Sequence, residues 1–75
     1  MKELIEYIAK SIVNKPEAVV VTEERTSERV VLKLQVDQDD MGRVIGKQGR
    51  VAQAMRTLLK VIAVKQGIRA ELEIG

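Results

Sequence analysis

The apolar residues at the start of the chain recur at the spacing of one helical face. They lie between Lys2 and about Asn14 and are Leu4, Ile5, Ile8, Ala9, Ile12 and Val13. This spacing predicts an amphipathic helix with one buried face. The Lys15-Pro16 pair ends the helix, because a residue that precedes proline disfavours the helical backbone.

Two segments with strand patterns follow the proline. The segment from Ala18 to Glu23 is short and rich in β-branched residues, and the segment from Arg29 to Asp37 alternates apolar with polar positions. Both patterns predict strands. The polar residues from Glu24 to Glu28 predict a turn between them.

The second half of the chain predicts two helices around a glycine-containing loop. A short helix is expected from about Met41 to Ile45, with the carboxylate of Asp39 or Asp40 accepting hydrogen bonds from its first turn. A long helix is expected from Arg50 to about Gln66, because its apolar residues again follow helical spacing.

A final strand completes the predicted order of elements. Gly67 is well placed to end the long helix, and the alternation from Ile68 to Ile74 predicts the strand. The order is helix, strand, strand, short helix, long helix, strand, with no linker or low-complexity segment. We therefore expect one α+β domain over residues 1 to 75.

The segment Val44-Ile45-Gly46-Lys47-Gln48-Gly49-Arg50 is the best candidate for a functional site. Glycine has no Cβ, so the backbone N–H groups at Gly46 and Gly49 can come close to an oxyanion. The following helix directs the positive end of its dipole to the same place. Lys47 and Arg50 add formal charge. This arrangement predicts a phosphate-binding loop.

Charge is distributed unevenly along the chain, although the net charge is only +2. Residues 1 to 40 hold six Lys or Arg and nine Asp or Glu, whereas residues 41 to 70 hold seven cations and no anion. These cations are Arg43, Lys47, Arg50, Arg56, Lys60, Lys65 and Arg69. Such asymmetry is typical of a basic face that binds phosphate, or more simply of a solvated helix surface.

The residues from Asp40 to Arg50 and the order of the elements resemble those of KH domains, whose G-x-x-G loop clamps the backbone of single-stranded RNA or DNA. The whole chain is similar to the stand-alone bacterial single-KH-domain RNA-binding proteins of the KhpA type. The resemblance implies a type II KH fold, α-β-β-α-α-β, with three helices packed on a mixed three-stranded sheet. It also implies a role as an RNA chaperone or post-transcriptional regulator in the bacterial cytoplasm.

The same resemblance implies which residues bind RNA. They are Arg43, Ile45, Gly46, Lys47, Gln48, Gly49 and Arg50. The four residues from Gly46 to Gly49 form the clamp, and Ile45 helps to wall an apolar groove for bases. Tyr7 is the only aromatic residue, so we expect no base-stacking platform, weak binding and low sequence selectivity. The residues alone do not distinguish RNA from single-stranded DNA.

The predicted long helix carries more apolar surface than packing on one sheet requires. Its core positions are Ala52, Met55, Leu59 and Ile62, and a second stripe beside them consists of Ala54, Leu58 and Val61. The second stripe is either ordinary surface hydrophobicity or an association face, and we favour association. The resemblance implies homodimers and heterodimers with a larger KH-containing protein of the Jag type. The alternative function is therefore a protein-interaction module that recruits such a partner through the long helix, with RNA binding secondary.

Composition and spacing argue against several other classes of protein. The chain has no cysteine and no histidine, which excludes disulfides and removes the commonest metal ligands, catalytic bases and nucleophiles. We expect no enzymatic activity, no cofactor and no metal. The spacing from Gly42 to Gly46 is one residue too short for a nucleotide-binding P-loop, and helix capping explains Asp37, Asp39 and Asp40 better than a calcium loop does. No apolar run approaches a membrane span, so a cytosolic location is expected.

Overall fold

The computed structural model describes residues 1 to 75, and the order of its helices and strands confirms the predicted order. The elements are α1 (Lys2–Ile12), β1 (Val20–Arg25), β2 (Arg29–Gln35), α2 (Met41–Ile45), α3 (Arg50–Gln66) and β3 (Arg69–Ile74). Three short 3-10 turns connect them, at Pro16–Ala18, Gln38–Asp40 and Lys47–Gly49. None of the helices is both long and apolar enough to cross a membrane.

The three strands form one mixed sheet in the order β1-β2-β3. β1 pairs with β2 in the antiparallel direction, with Val21 opposite Leu34. β2 pairs with β3 in the parallel direction, with Leu32 opposite Leu72. Because β2 is central, β3 has one edge without a strand partner.

The helices cover one face of this sheet. α1 lies over β1, and α3 lies over β3. One cluster of 11 buried residues joins the helices to the inner face of the sheet. Its members are Ile5, Ala9, Val19, Val21, Val30, Leu32, Leu34, Val44, Met55, Leu59 and Leu72. The predicted three-helix, three-stranded architecture is confirmed.

Local hydrogen bonds explain where the strands differ from their predicted bounds. Pro16–Ala18 forms a 3-10 turn in which Ala18 N–H donates to the Lys15 carbonyl at 3.0 Å. β1 therefore begins at Val20 rather than Ala18. The hairpin turn is shorter than predicted, because Thr26 N–H donates to the Arg29 carbonyl at 2.8 Å and closes it.

The aspartates before α2 act differently from the prediction. The Asp40 carboxylate does not cap α2. It accepts hydrogen bonds from the backbone N–H groups of Asn14, at 3.1 Å, and Lys15, at 3.0 Å. The residue that caps is Asp37, whose carboxylate accepts from Asp39 N–H at 2.9 Å at the start of the 3-10 turn. The prediction of a cap from Asp39 or Asp40 was wrong, because Asp40 serves a contact distant in sequence.

Lys15 reinforces the same junction through its side chain. Its ammonium group lies 3.5 Å from a carboxylate oxygen of Asp37 and 3.5 Å from one of Asp39. The charge of Asp37 accordingly raises the pKa of Lys15, and the hydrogen bond from Asp39 N–H lowers the pKa of Asp37. We call Asn14, Lys15, Asp37, Asp39 and Asp40 the clasp. It joins the end of α1 to the segment that leads into α2.

Candidate nucleic-acid interface

The loop between α2 and α3 reverses the chain within the four residues from Gly46 to Gly49. Gly46 N–H donates to the Gly42 carbonyl at 2.8 Å, and Gly49 N–H donates to the Gly46 carbonyl at 3.1 Å. Arg50 N–H then donates to the Lys47 carbonyl. The loop is therefore held in shape by its own backbone hydrogen bonds.

Gly46 allows the start of α3 to pack directly against the loop. Its φ of 77° and ψ of 170° lie in a region that is nearly confined to glycine. A Cβ at this position would lie 2.5 Å from Cγ2 and 2.8 Å from the backbone nitrogen of Val51. Because Val51 is in the first turn of α3, this close approach brings the positive end of the helix to the loop.

Gln48 and Gly49 both have positive φ angles, of 59° and 74°. For glutamine this left-handed conformation costs roughly 1 to 2 kcal/mol. Backbone strain of this kind is concentrated at sites that bind ligands. The Arg50 guanidinium donates to Oε1 of Gln48 at 3.3 Å, so the two side chains share one end of the loop.

Most of the predicted RNA-binding side chains are exposed at this end of the molecule. Lys47, Gln48 and Arg50 are exposed, and neither Lys47 nor Arg50 takes part in any ion pair of the structure. Arg43 is also exposed, but its Nε lies 3.6 Å from the Asp40 carboxylate. The loop therefore presents two unpaired cations and one paired cation to solvent.

A groove of about 760 Å³ runs between α3 and the open edge of β3. We call it the α3–β3 groove. Its residues are Gln53, Arg56, Thr57, Lys60, Ala63 and Val64 on α3, followed by the continuous segment Ile68 to Glu73. Gln53 is one helical turn after Gly49, so the groove begins about 6 Å along the helix from the loop. Ile45 is exposed on α2 but does not line this groove.

The edge of β3 adds backbone polar groups to the α3–β3 groove. Arg69 N–H donates to the Glu28 carbonyl and Gly75 N–H donates to the Leu34 carbonyl, so the backbone groups of these residues point to β2. Because backbone direction alternates along a strand, the N–H and C=O groups of Ala70 and Leu72 point to the open edge. The groove thus combines apolar side chains with directed donors and acceptors.

The second apolar stripe predicted on the long helix is at the surface. Leu58 is 45% exposed and Val61 is 53% exposed, and Ala54 is exposed beside them. At 3.6 residues per turn, this stripe lies roughly a third of a turn round α3 from the side that lines the groove. The predicted core position Ile62 is only half-buried, and Ala63 is buried instead.

Two features of the site were missed by reasoning from the sequence. The sequence predicts a helix cap from Asp39 or Asp40, whereas Asp40 is the one charged residue in the interior, 1% exposed. The pair Arg56 and Lys60 was counted among the cations but not placed at a groove. Their four-residue spacing puts both on one side of the helix with Gln53 and Thr57, which is the signal that could have found them.

Comparisons with known proteins agree with this architecture. Residues 2 to 74 match the family model described as KhpA/KhpB, KH domain. The RNA-binding protein KhpA of Clostridium perfringens is 53% identical over 74 residues, which is 99% of each chain. Proteins of the same name from Listeria monocytogenes and Aquifex aeolicus are 50% and 46% identical over 74 residues, which is 99% of this chain and 97% and 94% of theirs. No solved structure matches this chain.

These matches bear on both the fold and the class of protein. The family match covers all three helices and all three strands. The relatives are named as RNA-binding proteins. The predicted resemblance is confirmed: the chain belongs to the KhpA/KhpB family of KH-domain proteins.

Proposed function

We propose that this protein binds single-stranded RNA and that the loop from Gly46 to Gly49 holds the phosphates. The observation that carries the proposal is the coincidence of two unpaired cations, Lys47 and Arg50, with a strained loop at the positive end of α3. Segment 41 to 70 contains no acidic residue that would repel phosphate. The far side of the groove carries Glu71, which pairs with Arg29, and Glu73. The relatives named RNA-binding protein KhpA support RNA as the partner.

The bases are proposed to lie in the α3–β3 groove, which begins one helical turn from the loop. Its apolar side chains can contact base faces, and the backbone groups of Ala70 and Leu72 can pair with base edges. No aromatic residue lines the groove, so the stacking that gives about 1 to 3 kcal/mol per base elsewhere is missing. Binding should therefore be weak and tolerant of sequence.

The cellular role that fits these properties is that of an RNA chaperone or post-transcriptional regulator. Weak, sequence-tolerant contacts to a segment of about four nucleotides suit a protein that visits many RNAs. We place this activity in the bacterial cytoplasm, where a cysteine-free chain meets no demand for disulfides.

The decisive experiment replaces the two variable residues of the clamp. The double change Lys47→Asp and Gln48→Asp turns the loop anionic, and RNA binding should fall below detection in an anisotropy titration. Both residues are exposed, and aspartate tolerates a left-handed backbone better than most residues, so the fold should remain intact. A matched control is Lys10→Asp with Ser11→Asp, which makes the same charge change on α1. Unchanged affinity of the folded clamp variant would rule out the loop as the phosphate site.

We also propose that the stripe of Ala54, Leu58 and Val61 is an association face. An apolar stripe that remains half exposed in so small a protein is typical of a surface that another chain covers. A second copy of this chain is the first candidate, and a larger Jag-type KH protein is the other. A dimer would carry two grooves and gain avidity through effective concentration. Recruitment of a partner through this stripe is the second candidate function.

A further inference from the structure

Asp40 is a buried carboxylate for which RNA binding by the loop gives no explanation. It is 1% exposed and is the only charged residue in the interior. Burial of a carboxylate is unfavourable unless hydrogen bonds and opposite charge compensate it. The backbone donors of Asn14 and Lys15 account for a carboxylate at this position, but they do not account for its contact with Arg43.

The contacts of Asp40 divide between two parts of the molecule. Its two oxygens accept from the backbone N–H groups of Asn14 and Lys15, which fixes the carboxylate in the clasp. Oδ1 also lies 3.6 Å from Nε of Arg43, one turn further along the chain. Asp40 therefore connects the backbone of the clasp to Arg43, an exposed cation on the short helix α2 that leads into the loop.

The geometry of Arg43 leaves most of its guanidinium available. The close atom is Nε, at the inner end of the group, and the side chain is 54% exposed. A guanidinium carries five N–H donors, four of them on the two terminal nitrogens. Arg43 can therefore keep Nε at Asp40 while its terminal nitrogens donate to a phosphate.

We propose that Asp40 is a positioning residue for RNA binding, which holds Arg43 as a two-sided ligand between the clasp and an RNA phosphate. The inference rests on the proposed RNA-binding function. A carboxylate fixed by two backbone donors orients the arginine before RNA arrives. The conformational entropy lost when RNA binds is then smaller.

The proposal predicts that lysine cannot replace Arg43. Lysine keeps the charge, but its single ammonium group is a point charge that serves either the carboxylate or the phosphate well. We expect Arg43→Lys to weaken RNA binding about three- to tenfold, nearly as much as Arg43→Gln, in the range of one typical hydrogen bond. Equal affinity of Arg43→Lys and the unchanged protein would overturn the positioning role.

A double-mutant cycle distinguishes a positioning role of Asp40 from a role in the fold alone. The variants are Asp40→Asn, Arg43→Gln and both together, titrated against a labelled single-stranded RNA of about eight nucleotides, twice the length that one KH groove contacts. Asp40→Asn should weaken binding about three- to tenfold when Arg43 is present and less than about twofold when it is absent. Equal effects in both backgrounds would mean that Asp40 only supports the fold, and would refute the inference.

Two further measurements distinguish the ways in which this test could fail: the stability of each variant, and RNA binding by the unchanged protein. Circular dichroism and urea denaturation establish which variants are folded under the titration conditions. If Asp40→Asn does not fold, the comparison of Arg43→Lys with Arg43→Gln decides the question, because both leave the clasp intact. Absence of RNA binding by the unchanged protein would contradict the proposed function itself. Binding that depends on the clamp but shows no coupling between Asp40 and Arg43 would contradict only the inference.

Discussion

Gly46 lies so close to Val51 that the loop and the first turn of α3 have no room for a side chain between them. A Cβ would approach the Val51 backbone nitrogen to 2.8 Å, and backbone cannot move aside as a flexible side chain can. The loop from Gly46 to Gly49 and the helix behind it are therefore a single packed unit. Changes at this glycine should act on the fold as well as on binding.

Three glycines of the same segment provide a graded test of this relationship. Gly46→Ala should destabilise the protein by about 2 to 5 kcal/mol, because it combines the strained backbone with the contact at Val51. Gly49→Ala meets no atom within 4 Å, so it should cost only the left-handed backbone, about 1 to 2 kcal/mol. Gly42→Ala, in α2 with open space around it, should stabilise by about 0.5 to 1 kcal/mol. Urea denaturation measures all three, and a different order would contradict the packing argument.

Binding to unstructured RNA should weaken as salt increases. If two to four phosphates are neutralised in each groove, the slope of log K against log salt should be about −1.4 to −2.8, at roughly 0.7 per phosphate for single strands. Anisotropy titrations between low and physiological salt measure this slope. A slope near zero would mean that the cations from Arg43 to Arg69 are an ordinary solvated surface.

Position on α3 should decide which cations contribute to binding. Lys60 lines the α3–β3 groove, whereas Lys65 is exposed on the same helix but outside the groove. Lys60→Glu should reduce RNA affinity about fivefold, the effect of about 1 kcal/mol at an exposed site. Lys65→Glu makes the same charge change and should reduce affinity less than about twofold. Equal losses would indicate a general effect of net charge and would count against the groove as the RNA path.

The stripe on α3 can be tested with Leu58→Asp. Because Leu58 is 45% exposed, the change should leave the monomer folded, with stability altered by about 0.5 kcal/mol or less. It should abolish self-association, since burial of an unpaired carboxylate in an apolar contact is strongly unfavourable. RNA affinity should fall as the second groove is lost.

Sedimentation and circular dichroism distinguish the outcomes for Leu58. A folded monomer agrees with the association face, and a folded dimer would refute it. Tyr7→Asp is the matched control, because Tyr7 is the most exposed large apolar residue, on α1 and away from the stripe. This control should leave the oligomeric state unchanged.

Glycines at the helix ends explain why the bounds of α2 and α3 could be predicted from the sequence. Gly46, Gly49 and Gly67 all have positive φ angles, and each ends or begins a helix, so local chemistry determined the ends. The left-handed conformation of Gln48 could not be predicted, because glutamine has no preference for it and closure of the loop imposes it. The glycine pattern of the loop was therefore recognisable in the sequence, but its strained residue was not.

The role of Asp40 and the α3–β3 groove depend on packing between distant segments. The donors to Asp40 lie 26 and 25 residues earlier in the chain, so a local pattern of Asp before a helix suggested the wrong partner. The groove exists because α3 covers β3 without covering its open edge. Helical periodicity predicts which residues share a side of α3, but it does not predict where β3 lies relative to those sides.

If the proposed association through the stripe occurs, the separation of the stripe from the groove on α3 has a consequence for strand polarity. An antiparallel α3 pair with Leu58 at its centre would leave both grooves open, and two-fold symmetry would make them run in opposite directions. One continuous RNA could fill both grooves only by turning back on itself, whereas two RNA segments would be held with opposite 5′-to-3′ directions. Opposite polarity is the arrangement from which complementary strands pair, so such a dimer would present RNA in the orientation that annealing requires.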